Sequence, residues 1–259
     1  MKIIFYCQSV TSFDAALEKL LKANALIDKK SVLWCDSSSK TRMDCINESP
    51  INKWMLFLDH DCFIDEPAYK ELLKYIDSQK NYQSVNGLVM VGQYKNHENS
   101  SAIQKAHNWI ANNWINFWFD ESKKFPPVLL GGAFALIKFK ENALIEEKHK
   151  IKSWGAEDKT LARELYRNNF AFFFLEGFRV THDTSKSFIH LVRRAFLHGY
   201  NDDEHELFSD QKIAGFNYQL SYWKRKFASL DFCLILPVLV HFCVQIMGRI
   251  FRIVRRVRK

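Results

Sequence analysis

The chain has 259 residues, of which 47% are hydrophobic and 25% charged, so it can bury a sizeable core and has an ordinary charge content. Its formal net charge of +8 lies in residues 223–259, which hold nine of the 37 Lys and Arg and one of the 29 Asp and Glu. Residues 1–222 therefore carry no excess charge, which argues against a nucleic-acid-binding protein.

The first hundred residues alternate between strand and helix patterns. Apolar runs predict strands at 3–7, 31–39, 54–59 and 85–94, and apolar residues at steps of three or four predict helices at 13–26, 66–79 and 100–118. A polar segment without a predicted element follows Asp36. This alternation predicts an α/β fold with a mixed, mostly parallel sheet flanked by helices.

The second half continues with a strand at 128–139 around Gly131–Gly132, a helix at 157–170 and a strand at 171–182. No repeat or low-complexity linker interrupts it, which indicates one catalytic-type domain over 1–222 and a tail over 223–259. The six cysteines include no Cys-x-x-Cys pair, which argues against a zinc site and suits a reducing compartment.

Carboxylates mark two of these elements. Asp59 and Asp61 follow the buried run "WMLFL", where alternation in an extended backbone would put both on one side. Carboxylate oxygens are ligands that Mg²⁺ or Mn²⁺ prefers, although a strand end of this kind is more often a solvated turn. Glu157 and Asp158 open the helix at 157–170, where acids also favour the helix dipole.

Three further features have both a structural and a chemical interpretation. Gly131 and Gly132 indicate either a bend or close approach of a ligand to the backbone. His182 ends a strand, where its side chain is either packed in the protein or a metal ligand. Arg193 and Arg194 form either a solvated helix face or a contact with a diphosphate.

The order of these features resembles the family 2 glycosyltransferases of the GT-A fold, of a membrane-associated bacterial type, over roughly residues 1–200. The most specific part is Trp154-Gly155-Ala156-Glu157-Asp158, and "LDHD" supports it as an Asp-x-Asp motif.

The resemblance implies a role for each candidate residue. Asp158 would be the general base, Glu157 would orient the acceptor, and Trp154 would stack on a sugar ring. Asp59, Asp61 and His182 would hold Mn²⁺ or Mg²⁺, with Asp61 the more direct ligand. The remaining contacts to the nucleotide-sugar would come from Asp36 at the base or ribose, from Gly131 and Gly132 at the sugar, and from Arg193 and Arg194.

The implied activity is inverting transfer of one sugar from a nucleotide-sugar such as a UDP-sugar to a glycan or lipid-linked acceptor, in polysaccharide or glycolipid synthesis. The chain has no Gln-x-x-Arg-Trp motif, which favours single addition over polymerisation. Two alternatives stay open. One is a metal-dependent nucleotidyl or phosphoryl transferase that uses the same acids. The other is a non-catalytic membrane-bound scaffold, which is slightly favoured by the short stretch of sequence between Asp36 and Asp59.

The tail combines an apolar run at 232–247 with a basic amphipathic stretch at 249–259. This pattern is typical of an anchor on an anionic membrane surface, and basic residues at 224–226 on the other side argue against a simple span. A hairpin, a re-entrant segment or an in-plane helix fits better. We therefore expect a peripheral or monotopic protein on the cytoplasmic face of the membrane.

Overall fold

The computed structural model describes residues 1–7, 10–36, 40–78, 84–120, 129–140, 157–183, 187–200, 223–228 and 230–257. They belong to two compact units. The first, here the sheet unit, comprises Met1–His97, Pro126–Lys150 and Asp158–Asp183; the second, the helical unit, comprises Glu98–Phe125, Ile151–Glu157 and Thr184–Lys259. The domain boundary predicted at residue 222 lies outside the described residues.

The sheet unit is built on seven strands: β1 (Lys2–Cys7), β2 (Val32–Asp36), β3 (Met55–Asp59), β4 (Cys62–Ile64), β5 (Gly87–Lys95), β6 (Phe134–Lys138) and β7 (Phe170–His182). Their order in the sheet is β2-β1-β3-β6-β5-β7-β4. Three of the six pairings are parallel and three are antiparallel. The predicted α/β class and mixed sheet are confirmed, but only half of the pairings are parallel.

Helices flank these strands. The sheet unit holds α1 (Val10–Ala23), α2 (Arg42–Asn47) and α3 (Glu66–Ser78). The helical unit holds α4 (Ala102–Asp120), and α5 (Glu157–Arg167) belongs to the sheet unit from Asp158 onwards. Helices α6 (Phe188–Tyr200) and α7 (Phe232–Val257) also belong to the helical unit.

Strand directions bring the chemically interesting residues to one edge of the sheet. Strands β1, β2 and β3 are parallel, so Asp36 and Asp59 end the strands on either side of β1 at the same edge. Strand β6 runs antiparallel to β3 and begins at that edge, which puts Gly131–Gly132 beside the end of β3. Strands β5 and β7 again run in the direction of β3, so His182 also lies at this edge.

Strand β3 lies inside the sheet between β1 and β6, and it is held there by burial. Its residues from Met55 to Leu58 are buried, and Phe57 stacks on Phe134 of β6 with ring centroids 4.6 Å apart. Both rings are fully buried, and burying one such side chain stabilises the fold by about 1.5–3 kcal/mol. The position of Asp59 at the exposed end of this strand is therefore rigidly set.

The short helix α2 occupies the polar segment for which the sequence predicted no element. Thr41 caps its start, because the Thr41 hydroxyl accepts from the Asp44 amide and the Asp44 carboxylate accepts from the Thr41 amide. At its other end, the buried Lys138 ammonium donates to the carbonyls of Ile46 (3.3 Å) and Asn47 (2.8 Å). These contacts attach α2 to β6.

The chain does not remain extended through the Asp-x-Asp pair. Residues 60 and 61 form a turn, and β4 then pairs antiparallel with β7, with Cys62 opposite His182. The prediction that strand alternation puts Asp59 and Asp61 on one side is therefore wrong, because the strand ends between them.

The helical unit is held together by α7. Its first half contributes Leu234 and Val238 to a core cluster with Ala106 and Ile110 of α4. Its second half packs on α6 at two glycines. A Cβ atom at Gly199 would lie 1.9 Å from the Gln245 carbonyl oxygen, so only glycine permits this backbone contact. The helix is continuous over 26 residues through Pro237, so the predicted hairpin is not observed.

Candidate functional site

The site at the sheet edge is organised around Arg42, a buried residue in the first turn of α2. Its guanidinium donates a hydrogen bond to Asp59 Oδ1 and lies 3.5 Å from Asp158 Oδ1. The same group stacks 4.2 Å from the centre of the Tyr6 ring. Arg42 thus joins the end of β3 to the first turn of α5, two elements nearly a hundred residues apart in sequence.

The two glycines allow this close approach. A Cβ atom at Gly131 would lie 2.7 Å from Asp158 Oδ1 and 2.8 Å from an Arg42 nitrogen. At Gly132 it would lie 2.4 Å from Cys62 Sγ and 3.2 Å from Asp59 Cβ. Side chains at these positions would displace the groups that form the site. The Gly-Gly pair therefore marks close packing against protein groups, and the approach of a ligand to this backbone stays a prediction.

Asp61 and His182 form the other half of the site. His182 Nε2 lies 3.5 Å from Asp61 Oδ2, and the Cys62 thiol donates to Asp61 Oδ1 at 3.7 Å. The ligand atoms of these three residues all lie within 4.8 Å of one another. His182 is buried, whereas about 30% of the Asp61 side chain is exposed, so one carboxylate faces solvent beside a fixed imidazole.

The donor set fits a divalent cation. Two ligand atoms that share an ion at about 2.1 Å lie about 3–3.5 Å apart, which is the separation of Asp61 Oδ2 and His182 Nε2. Burial raises the pKa of the Cys62 thiol well above its ordinary value, with a further contribution from the Asp61 and Asp59 carboxylates. The carboxylate oxygens suit Mn²⁺ or Mg²⁺, whereas an imidazole nitrogen is more typical of ions such as Zn²⁺, so this cluster could hold a divalent cation without selecting one.

Tyr94 connects the two halves of the site. Its hydroxyl accepts a hydrogen bond from the Gly132 amide at 3.2 Å, and its ring lies 4.0 Å from the His182 ring, centroid to centroid. Burial, with further contributions from Cys62, Asp59 and Asp158, raises the pKa of Tyr94 well above its ordinary value. A continuous series of contacts therefore runs from Asp158 through Arg42, Asp59, Gly132 and Tyr94 to His182 and Asp61.

The structure brings most of the predicted site residues together, but not all. Asp36 ends β2 two strands away from Asp59, a separation of about 10 Å at the usual strand spacing. Arg193 and Arg194 lie on α6 in the helical unit. Trp154 lies outside the described residues, and only the backbone of Glu157 is described.

The site residues predicted from the sequence did not include Arg42, Tyr94 or Cys62. For Arg42 a signal was present, since Thr41-x-x-Asp44 is a capping-box pattern that predicts a helix start and puts Arg42 in its first turn. Tyr94 and Cys62 have no such signal, because each became part of the site through strand pairing.

Comparison with known proteins adds no family to this geometry. The chain matches no protein-family model, and no curated protein matches it.

Proposed function

We propose that the chain is an inverting, metal-dependent glycosyltransferase with a GT-A-type fold, similar to family 2 members. One observation carries the proposal. Asp158 meets Asp59 through a shared guanidinium, at the edge of the sheet where Asp61 and His182 also lie. A base and a metal site at one sheet edge are what transfer from a sugar diphosphate to a hydroxyl requires.

In this proposal the residues divide the work in the following way. Asp61 and His182 hold the cation, with Asp59 as the second carboxylate, and Asp158 accepts the proton of the acceptor hydroxyl. Asp158 suits this task because its side chain is about 42% exposed and so can be reached by an acceptor. The bound cation would neutralise charge that develops on the leaving diphosphate. The backbone at Gly131–Gly132 would border the donor.

The same reasoning gives the chemical class of each substrate. The donor is a nucleotide-diphosphate sugar, such as a UDP-sugar, and Asp36 at the end of β2 is the candidate contact for its base or ribose. The acceptor is a hydroxyl of a glycan or a lipid-linked glycan, with one sugar added per reaction. We place this activity at the cytoplasmic face of the cell membrane, with residues 223–259 on the anionic lipid surface.

The test is a panel of nucleotide-sugars scored for release of the nucleoside diphosphate with and without Mn²⁺. Asp158→Asn should lower turnover by about 10²–10⁴-fold, the usual contribution of a general base, while leaving Mn²⁺ binding in place. Asp14→Asn, which changes an exposed carboxylate on α1, is the matched control and should have wild-type turnover. Full activity in Asp158→Asn would overturn the assignment of the base.

The same assay, run also with nucleoside triphosphates, separates the alternatives. A nucleotidyl transferase would release pyrophosphate from a nucleoside triphosphate and a phosphoryl transferase would release a nucleoside diphosphate, and both would leave nucleotide-sugars intact. A non-catalytic scaffold would turn over no donor, and Mn²⁺-dependent binding of a nucleoside diphosphate that is lost in Asp61→Ala would count against it. Measured turnover of any nucleotide-sugar excludes the scaffold.

A further inference from the structure

Helix α7 exposes apolar side chains and buries polar ones, which is the reverse of the usual arrangement in a helix on the surface of a soluble protein. Eleven of its residues from 232 to 254 are exposed, and every one of them is apolar. We call the eleven the outer face: Phe232, Cys233, Leu236, Leu239, Cys243, Ile246, Met247, Ile250, Phe251, Ile253 and Val254. By contrast, polar His241 and Gln245 are buried on the opposite side, against the rest of the helical unit.

The buried side of α7 is in contact with protein along most of its length. Leu234 and Val238 pack on α4, and Gln245 and Gly248 approach the α6 backbone. Near its C-terminal end, Arg255 donates a hydrogen bond to the hydroxyl of Tyr200, the last residue of α6. A helix bound from end to end along one side exposes only its other side, so the outer face is a long strip parallel to the helix axis.

Two arginines lie near the borders of this strip and one lies behind it. At about 100° per residue, Arg252 falls opposite Ile250, and Arg249 falls on the same protein-facing half, near one border of the strip. This half also contains the exposed Arg255 at its border. An apolar strip flanked by cations matches the boundary between lipid acyl chains and anionic headgroups.

We propose that α7 is an in-plane membrane-docking helix, whose outer face inserts into the surface of an anionic bilayer with the helix axis parallel to it. Residues 232–255 are also long and apolar enough to cross a membrane. A crossing would carry α4 and α6, which pack on α7, towards the acyl region, together with Arg193 and Arg194 of α6, whose charges are costly there. The in-plane arrangement leaves those contacts intact, and it does not rest on the proposed function.

The first test is sedimentation of the full chain with vesicles. Vesicles of phosphatidylcholine with 30 mol% phosphatidylglycerol should bind the protein more tightly than pure phosphatidylcholine. The pair Leu236→Asp and Ile250→Asp should weaken binding by about 100-fold or more, since each inserted side chain contributes roughly tenfold or more. Leu26→Asp with Leu33→Asp, two comparably exposed positions in the sheet unit, is the control and should bind like wild type.

The second test measures depth and needs no destabilising change. A fluorophore attached at 236, 243 or 250, one at a time, is quenched by lipids brominated at known depths. An in-plane helix gives the same depth at all three positions, whereas a spanning helix gives depths that differ by about 21 Å over these fourteen residues. A depth gradient of that size overturns the proposal. The proposal is also overturned if the protein does not bind vesicles and instead forms a dimer that the Leu236→Asp and Ile250→Asp substitutions dissociate.

Discussion

The contact between Arg42 and Asp59 is the part of the candidate site whose energy can be worked out from the structure. The Arg42 side chain is about 7% exposed and that of Asp59 about 25%, so water screens their hydrogen bond only partly. A hydrogen bond between charged groups stabilises a fold by about 1.5–3 kcal/mol. We predict a coupling free energy of this size between Arg42→Met and Asp59→Asn.

Arg42 makes two further contacts, and both add to the loss of stability in Arg42→Met alone. They cancel from the coupling free energy when the two single variants are compared with the double variant. Stacking on Tyr6 contributes about 0.5–2 kcal/mol. The approach to Asp158 contributes about 0–1 kcal/mol, because that carboxylate is largely hydrated. Arg42→Met alone should therefore lower the free energy of unfolding by about 2–6 kcal/mol, more than Asp59→Asn does.

The assay is urea unfolding of the wild type, both single variants and the double variant, followed by circular dichroism. The double variant should lose clearly less stability than the sum of the two single losses. Additivity within about 0.5 kcal/mol would mean that the two residues do not interact, and it would refute the arrangement of the site described above. Arg179→Met, at an exposed arginine on β7, serves as a control that should cost little.

Two further predictions test how the site is held in place. Gly132→Ala should lower the free energy of unfolding by about 1–3 kcal/mol, because the added Cβ would overlap Cys62 Sγ. Gly177→Ala is the control: its Cβ would lie 3.3 Å from the nearest atom of the Glu71 side chain, so it should be close to neutral when both variants are followed by thermal melts. Lys138→Met should cost about 1–3 kcal/mol in urea unfolding, because the Asn47 carbonyl at the end of α2 loses its buried donor; an unchanged midpoint would show that this contact does not hold α2.

The strands were predictable because their signal is local. Apolar runs located β1, β2, β3, β5 and β7 to within a few residues, and the carboxylates at their ends were correctly recognised as strand-end groups. The direction of β6 was not predictable in this way. It is set by the pairing of Phe134 with Phe57, residues 77 positions apart, and an apolar run has the same appearance in either direction.

The centre of the site was missed for a related reason. Helix α2 has six residues, too few to show an apolar period, so only its cap could reveal it. The partners of Arg42 come from β3 and from the start of α5. Residue spacing in a single sequence does not show which carboxylates a given arginine contacts in the fold. For α7, the apolar run was visible, but which of its sides packs on protein became clear only from its contacts with α4 and α6.

The Asp-x-Asp pair has a different meaning once the fold is known. In sequence it reads as one chelating unit, but the turn after β3 directs Asp59 towards Arg42 and Asp61 towards His182. If one cation is to use both carboxylates, Asp59 must exchange the guanidinium for the ion. That exchange would free Arg42, a cation beside Asp158, to meet the negative charge of a diphosphate. The Arg42–Asp59 coupling should then be smaller in Mn²⁺ than in its absence, and an equal coupling in both conditions would restrict the cation to Asp61 and His182.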